Sequence, residues 1–169
     1  MNNTDLNPIK SKFYRLLAAG GGLGYSPIAP GTFGSLIGVA LSVLFWNLTT
    51  GFNQTSRNLA AIALMIIITI GAHHVIKAVE NTSGLHDPKW IVIDEIVGQM
   101  LGLIWFFPTF WTLLSGFALF RLFDILKPGP IGDLDQKVHP PWGTLVDDLL
   151  AGAVAAAFLL ALKFFVHLP

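Results

Sequence analysis

Apolar residues gather into long runs, each closed by a polar or proline-bearing stretch. Ser35 to Leu48 predicts a first apolar helix, followed by polar Thr49 to Asn58. Leu59 to Ala78 predicts a second, with His73, His74 and Lys77 in its last turns, before the hydrophilic stretch Glu80 to Lys89. Ile91 to Phe107 predicts a third, entered through Asp94 and Glu95. Pro108–Thr109 is a tight turn, and Phe110 to Leu126 predicts a fourth helix with Arg121 and Asp124 near its exit. A second hydrophilic, proline-rich loop runs from Lys127 to Gly143, and a last helix is expected from near Asp147 to about Phe165. Ahead of these, residues 1–19 read as a loose or interfacial segment, with a short helix over Phe13 to Ala19 that is basic on one side. Gly20 to Ser35 is crowded with glycine and proline, and it predicts a long shaped loop, neither a helix interior nor a central strand.

Several runs are short against the roughly 20 residues of a bilayer crossing. The expected fold is all-α: a polytopic membrane helical bundle of four to five short helices, in a single domain over residues 1–169, with a polar site on its cytoplasmic side. Composition supports this. Hydrophobic residues make up 53% of the 169-residue chain, charged residues only 12%, and the mean hydropathy is +0.65. A soluble domain carries about 25% charged residues, so this chain could not cover a water-facing surface. With ten basic and ten acidic residues the formal net charge is zero, and a nucleic-acid partner has no electrostatic footprint. Cysteine is absent, which excludes disulfides and thiolate chemistry. The apolar run after Arg15 is glycine-heavy and leads into a proline-rich turn, a poor signal peptide, so the N-terminus is expected to be retained.

The charges are not scattered. With the N-terminus inside and five crossings, all ten acidic residues fall at or near one face. Every basic residue joins them except Arg57 and Lys163. The Lys/Arg bias makes that face cytoplasmic.

This topology gathers Asp94 and Glu95 at the start of the third helix, Arg121 and Asp124 at the end of the fourth, and Asp147 and Asp148 at the start of the fifth. Thr32 and Ser35 open the first, and His73, His74 and Lys77 end the second. Asp94, Gly98 and Gly102 recur every four residues, as do Asp148, Gly152 and Ala156, and Gly34 and Gly38 form a third such pair. Small residues at that spacing let membrane helices approach closely, which points the carboxylates into helix–helix seams. Burying carboxylates together is costly unless a cation neutralises them. An all-oxygen group suits Mg²⁺, and the lack of any His-x-x-x-His or Cys pattern argues against zinc. Arg121, Lys127 and the helix start behind Gly31–Thr32 would receive a phosphate. Single acids at helix starts also serve simply to stabilise the helix dipole, and Thr144 reads equally well as a plain cap. Arg121 and Asp124, three apart, also fit a structural ion pair. His73 and His74 read more as interfacial residues than as ligands. As a set, the charges point to phosphoryl chemistry at a membrane surface.

Four blocks carry a family pattern. The stretch from Gly24 through Ser26–Pro27–Ile28–Ala29–Pro30–Gly31–Thr32 to Ser35 resembles the N-terminal signature of the phosphatidylglycerophosphatase A family. Asp94–Glu95–Ile96–Val97–Gly98, Phe120–Arg121–Leu122–Phe123–Asp124–Ile125–Leu126–Lys127–Pro128 and Asp147–Asp148–Leu149–Leu150–Ala151–Gly152 resemble its other blocks, in the family's order. The resemblance implies a Mg²⁺-dependent lipid phosphatase of the bacterial inner membrane, its active site facing the cytoplasm. Its substrate would be phosphatidylglycerophosphate among membrane lipids, and its product phosphatidylglycerol. Asp94, Glu95, Asp124, Asp147 and Asp148 would be the catalytic and metal residues. Thr32, Ser35, Arg121, Lys127 and His139 would hold the substrate phosphate. One departure is visible: His139 is followed by Pro140–Pro141–Trp142–Gly143 where family members carry glycines, which makes this loop stiffer. A water bound by the metal or oriented by the carboxylates is the expected nucleophile. A covalent aspartyl-phosphate stands second, because no DxDx(T/V) signature is present. The rivals are a lipid phosphatase acting on phosphatidic or lysophosphatidic acid, a lipid phosphotransferase, and a non-enzymatic transporter or membrane subunit. The phosphotransferase signature DGxxAR is absent, and a transporter would place its ionisable residues nearer the bilayer midplane. The residues leave the oligomeric state open.

Overall fold

In the computed structural model, which describes residues 8–85, 88–129 and 142–166, every regular element is helical. The order is α1 (Pro8–Ala18), a 3₁₀ turn (Gly20–Tyr25), α2 (Pro30–Leu48), α3 (Gln54–Ser83), α4 (Ile93–Leu103), α5 (Phe110–Leu126) and α6 (Trp142–Val166).

Local chemistry sets most of these bounds. Asn53 caps α3 by accepting from the Ser56 N–H at 2.8 Å, and Thr109 caps α5 by accepting from Thr112 at 3.1 Å. Gly84, in the left-handed region at φ 67°, ends α3 with its N–H on Glu80 O. α2 starts with Pro30 in its first turn, where a missing N–H costs nothing. Here the glycine-rich stretch departs from its reading as loop. Gly31, Thr32, Gly34 and Ser35 are helical, because each glycine gives up helix propensity for a close approach to α4. α3 likewise runs past Ala78 to Ser83, and Glu80 is buried within it.

α2, α3 and α6 are long and apolar enough to cross a membrane. Exposed Ile62, Ile66, Ile67 and Ile70 give α3 an apolar outer face suited to lipid. α4, with 11 residues, spans only about 16 Å, about half a hydrocarbon core. α5, with 17 residues, spans about 26 Å.

α4 is the buried centre of the bundle, packed most closely against α6 and α2. Two glycine seams make that packing tight. A Cβ at Gly98 would lie 2.5 Å from the Asp148 carbonyl oxygen, and one at Gly152 would overlap the Gly98 carbonyl. Across the other face, a Cβ at Gly38 would lie 2.7 Å from the Ile96 carbonyl oxygen and 2.8 Å from Gln99 Cβ. The start of α4 is tied down from behind, where the Val92 N–H donates to Ala18 O at 2.9 Å and Trp90 stacks on Tyr25. Ile76, Val79, Val92, Ile104 and Leu145 fill the main core, and Phe120 packs with Ala151 and Ala155 on the other side.

Candidate functional site

The N-terminal parts of α2, α4 and α6 and the C-terminal part of α5 meet around a cavity of about 290 Å³ at one end of the bundle. α4 contributes Asp94 and Glu95, α6 contributes Thr144, Asp147 and Asp148, and α5 contributes Arg121, Asp124 and Lys127. Ala29, Pro30 and Gly31 close it from α2, and Lys89 from the approach to α4. Helices that alternate in direction thus present their polar ends together, while their apolar lengths run away from the cavity.

Asp94, Glu95 and Asp148 each offer a carboxylate oxygen within 4.8 Å of the others. Asp94 and Asp148 are buried, and the glycine seam between Gly98 and Asp148 sets their spacing. Asp94 Oδ1 accepts from the Glu95 N–H at 3.0 Å, which fixes its rotamer at an otherwise uncapped helix start. Burial, and then the neighbouring Glu95, push the Asp94 carboxyl well above its ordinary pKa. Burial also raises Glu95, with the nearby Asp124 adding to the rise and Arg121 opposing it.

The opposite wall is basic. Arg121 Nη1 donates to Asp124 Oδ2 and, at 3.4 Å, to Ser35 Oγ. Ser35 Oγ in turn donates to the Gly31 carbonyl at 2.8 Å. Lys127, left-handed at φ 42° at the end of α5, pairs with Asp147 Oδ2. Gly31 is the hinge of this wall. A Cβ there would overlap Glu95 Oε1 and lie 3.0 Å from Arg121 Nη1, so only glycine lets the acid and the guanidinium approach the α2 backbone. Ala29, ahead of α2, is held left-handed at φ 49° and supplies no side-chain cap. That conformation costs an alanine about 1 kcal/mol, and it leaves the positive end of α2 open toward the cavity.

The structure brings eight of the ten sequence-predicted residues into contact: the five acids, Arg121 and Lys127 line the cavity, and Ser35 stands behind Arg121 as its hydrogen-bond partner. Thr32 is half-buried and does not line the cavity. His139 lies outside the described residues. Thr144 is not the cap of α6, which begins at Trp142; it is buried and faces the cavity. His73 stacks on Trp142 at 4.0 Å, and neither His73, His74 nor Lys77 lines the cavity. Sequence reasoning missed Lys89 and the cradle at Gly31. Lys89 stood in a hydrophilic stretch five residues before Asp94, where its charge looked like solvated loop.

The donor set fits a hard divalent cation. Its three ligand groups are all carboxylates, and Glu95 Oε2 is buried with no hydrogen-bond partner among the described residues. Such an oxygen needs a positive charge more than a further dipole. Carboxylates facing cations and an open helix N-terminus, at one end of membrane-length helices, define a polytopic membrane protein built to handle phosphate.

Comparison with known proteins names the group. Residues 16–163 match the family described as Phosphatidylglycerophosphatase A, and the chain belongs to that family. It is 36% identical over 147 residues to the phosphatidylglycerophosphatase A of Escherichia coli strain K12, covering 86% of this chain and 81% of that protein. It is also 36% identical over 160 residues to the enzyme of the same name from Haemophilus influenzae, covering 94% of this chain and 91% of that one. A Bacteroides thetaiotaomicron protein named as a candidate phosphatidylinositol-3-phosphatase is 31% identical over 144 residues, covering 81% of this chain and 85% of that protein. No solved structure matches. Family membership makes the chain a phosphatase.

Proposed function

We propose that this protein hydrolyses the terminal phosphomonoester of phosphatidylglycerophosphate, releasing phosphatidylglycerol and phosphate, as a Mg²⁺-dependent enzyme of the bacterial inner membrane. One observation carries the reading: the cavity sets a three-carboxylate group against Arg121, Lys127, Lys89 and the open start of α2. The whole chain works as one catalytic unit. Its charged end faces the cytoplasm, in line with the Lys/Arg bias, and α4 and α5 complete an alternating set of five helices.

Asp94, Glu95 and Asp148 would hold Mg²⁺, with Asp124 and Asp147 beside them. Bound there, the ion supplies charge neutralisation on the phosphate and makes phosphorus a better electrophile. The lipid tails stay in the leaflet while the headgroup reaches the cavity. Arg121, held by Asp124 and Ser35, presents its remaining N–H groups to the phosphate, and the N-terminus of α2 receives another oxygen. Lys127 and Lys89 add charge at the rim. Water attacks phosphorus in line, forming one P–O bond as the bond to the terminal glycerol oxygen breaks. A buried carboxylate takes the water proton and passes it to the leaving glycerol oxygen, which departs as the alcohol.

Release of inorganic phosphate from synthetic phosphatidylglycerophosphate, with and without EDTA, tests this. Mg²⁺-dependent release is expected, and its absence would overturn the reading. A second reading, a lipid phosphatase of wider headgroup range, draws on the name of the Bacteroides relative. Phosphatidic acid and phosphatidylinositol 3-phosphate as parallel substrates separate the two.

A further inference from the structure

Among the described residues, Arg57 and Lys163 are the cations on the face opposite the site, and the chemistry above uses neither. Arg57 is fully occupied. Its Nη2 donates to Thr49 O at 2.9 Å and Phe52 O at 3.2 Å, and its guanidinium lies 4.0 Å over Trp46. It closes the α2–α3 turn. Lys163 is different. Among the described residues its ammonium has no ion pair and no hydrogen bond, and the nearest aromatic contact is Phe106, 5.8 Å away.

Lys163 lines a second cavity, of about 550 Å³, nearly twice the volume of the first. Trp46, Trp105 and Phe106 wall it, and Gln54 and Asn58 reach it from the first turns of α3. Gln54 Nε2 donates to Asn58 Oδ1 at 2.9 Å, which leaves the Asn58 amide N–H groups for a ligand. Trp105 Nε1 already donates to Leu101 O at 2.7 Å, so that ring acts as a wall. Fifteen residues of α6 separate Lys163 from Asp148, about 22 Å along the axis, which sets this cavity at the opposite membrane surface. From there its lining continues down α6 through Ala156, Ala157 and Leu160, an apolar track running toward the hydrocarbon.

We propose that this cavity binds an anionic phospholipid of the opposite leaflet. Its phosphodiester would sit on Lys163 and Asn58, its headgroup between the tryptophans, and an acyl chain along the α6 track. A single cation suits the single negative charge of a phosphodiester. Aromatic walls and an apolar track suit a ligand delivered from the bilayer, not a free anion from water. The site is independent of the catalytic reading.

The test uses the purified protein in phosphatidylcholine nanodiscs, with Trp90, Trp111 and Trp142, the three tryptophans that do not line this cavity, replaced by phenylalanine. Fluorescence from the remaining tryptophans then reports quenching by phosphatidylglycerol or phosphatidylcholine with brominated chains. Phosphatidylglycerol should be selected about fivefold over phosphatidylcholine, the preference one lysine gives an anionic lipid. Lys163→Gln should abolish the selection, and Lys163→Arg should keep it. Asn58→Asp, which sets an anion in the cavity without touching Lys163, should abolish it independently. No selection by the wild type, or selection that survives Lys163→Gln and Asn58→Asp, would overturn the proposal. So would displacement of the lipid by millimolar inorganic phosphate, which would make this a soluble-anion site. Phosphate release by Lys163→Gln in neutral detergent should match wild type, so the outcome is separable from that of the catalytic reading.

Discussion

Gly98→Ala adds one methyl group at the point where α4 and α6 touch, and its consequences can be worked from the geometry. The new Cβ would lie 2.5 Å from the Asp148 carbonyl oxygen, 2.9 Å from its carbonyl carbon and 2.8 Å from Phe120 Cε2. Ordinary contact begins near 3.4 Å, so the two backbones must separate by about 1 Å, because a carbonyl in a helix cannot rotate aside. The residue pushed away is Asp148, one of three carboxylates whose ligand atoms lie within 4.8 Å. Metal–oxygen distances tolerate only about 0.2 Å, and a misplacement of about 1 Å costs on the order of 100-fold in rate. Alanine's better helix propensity returns up to about 1 kcal/mol, against about 1–3 kcal/mol for the overpacking, so the protein should still fold with a slightly lower Tm. Phosphate release should therefore fall about 100-fold, with a higher Mg²⁺ concentration needed for half-maximal rate. Gly71→Ala is the control, since nothing lies within 4 Å of a Cβ at that position. Wild-type activity and metal requirement in Gly98→Ala would refute the claim that the seam sets the carboxylate spacing.

Four further outcomes follow from the same geometry. Asp148→Asn should abolish Mg²⁺-dependent release while the protein stays folded in membranes, and near-normal turnover would remove Asp148 from the site. Arg121→Lys keeps the charge but cannot serve both Asp124 and Ser35, so kcat/KM should fall roughly 10- to 100-fold, and an unchanged value would count against the guanidinium geometry. Gln99 is fully buried on α4 with neither amide atom partnered among the described residues, so Gln99→Met should stabilise by about 1–3 kcal/mol in thermal melts; destabilisation would reveal a partner for the amide. The raised carboxyls of Asp94 and Glu95 hold protons in the folded state that the unfolded chain has already shed. Their contribution to the stability of metal-free protein is therefore full below the ordinary carboxylate range and is lost as pH rises through the raised values. Mg²⁺ binds the ionised forms and should flatten that decline; melts in EDTA whose Tm climbs with pH over this range would contradict the assigned burial.

Much of this protein was legible from one chain. Apolar runs separated by polar breaks set an all-α membrane bundle, and α5 falls on Phe110 to Leu126 as the pattern predicts, because Thr109 and the polar residues after Leu126 mark its ends unambiguously. The one-sided placement of the acids named most of the residues that line the cavity, since a lipid-facing carboxylate is too costly and every acid-bearing helix end had to turn the same way. Other features depend on residues far apart in sequence. Gly31 and Gly34 look like loop until α4 packs on them, when their missing side chains become the reason α2 is helical there. Lys89 looks like plain loop until the approach to α4 brings it, still exposed, to the cavity. The third apolar run, Ile91 to Phe107, predicts a longer helix than α4, which spans Ile93–Leu103 and packs between α2 and α6. Sequence pattern determines which residues must avoid lipid. Which of them meet, and how closely, is decided by backbone contacts at Gly31, Gly38, Gly98 and Gly152, where a single Cβ would hold the helices apart.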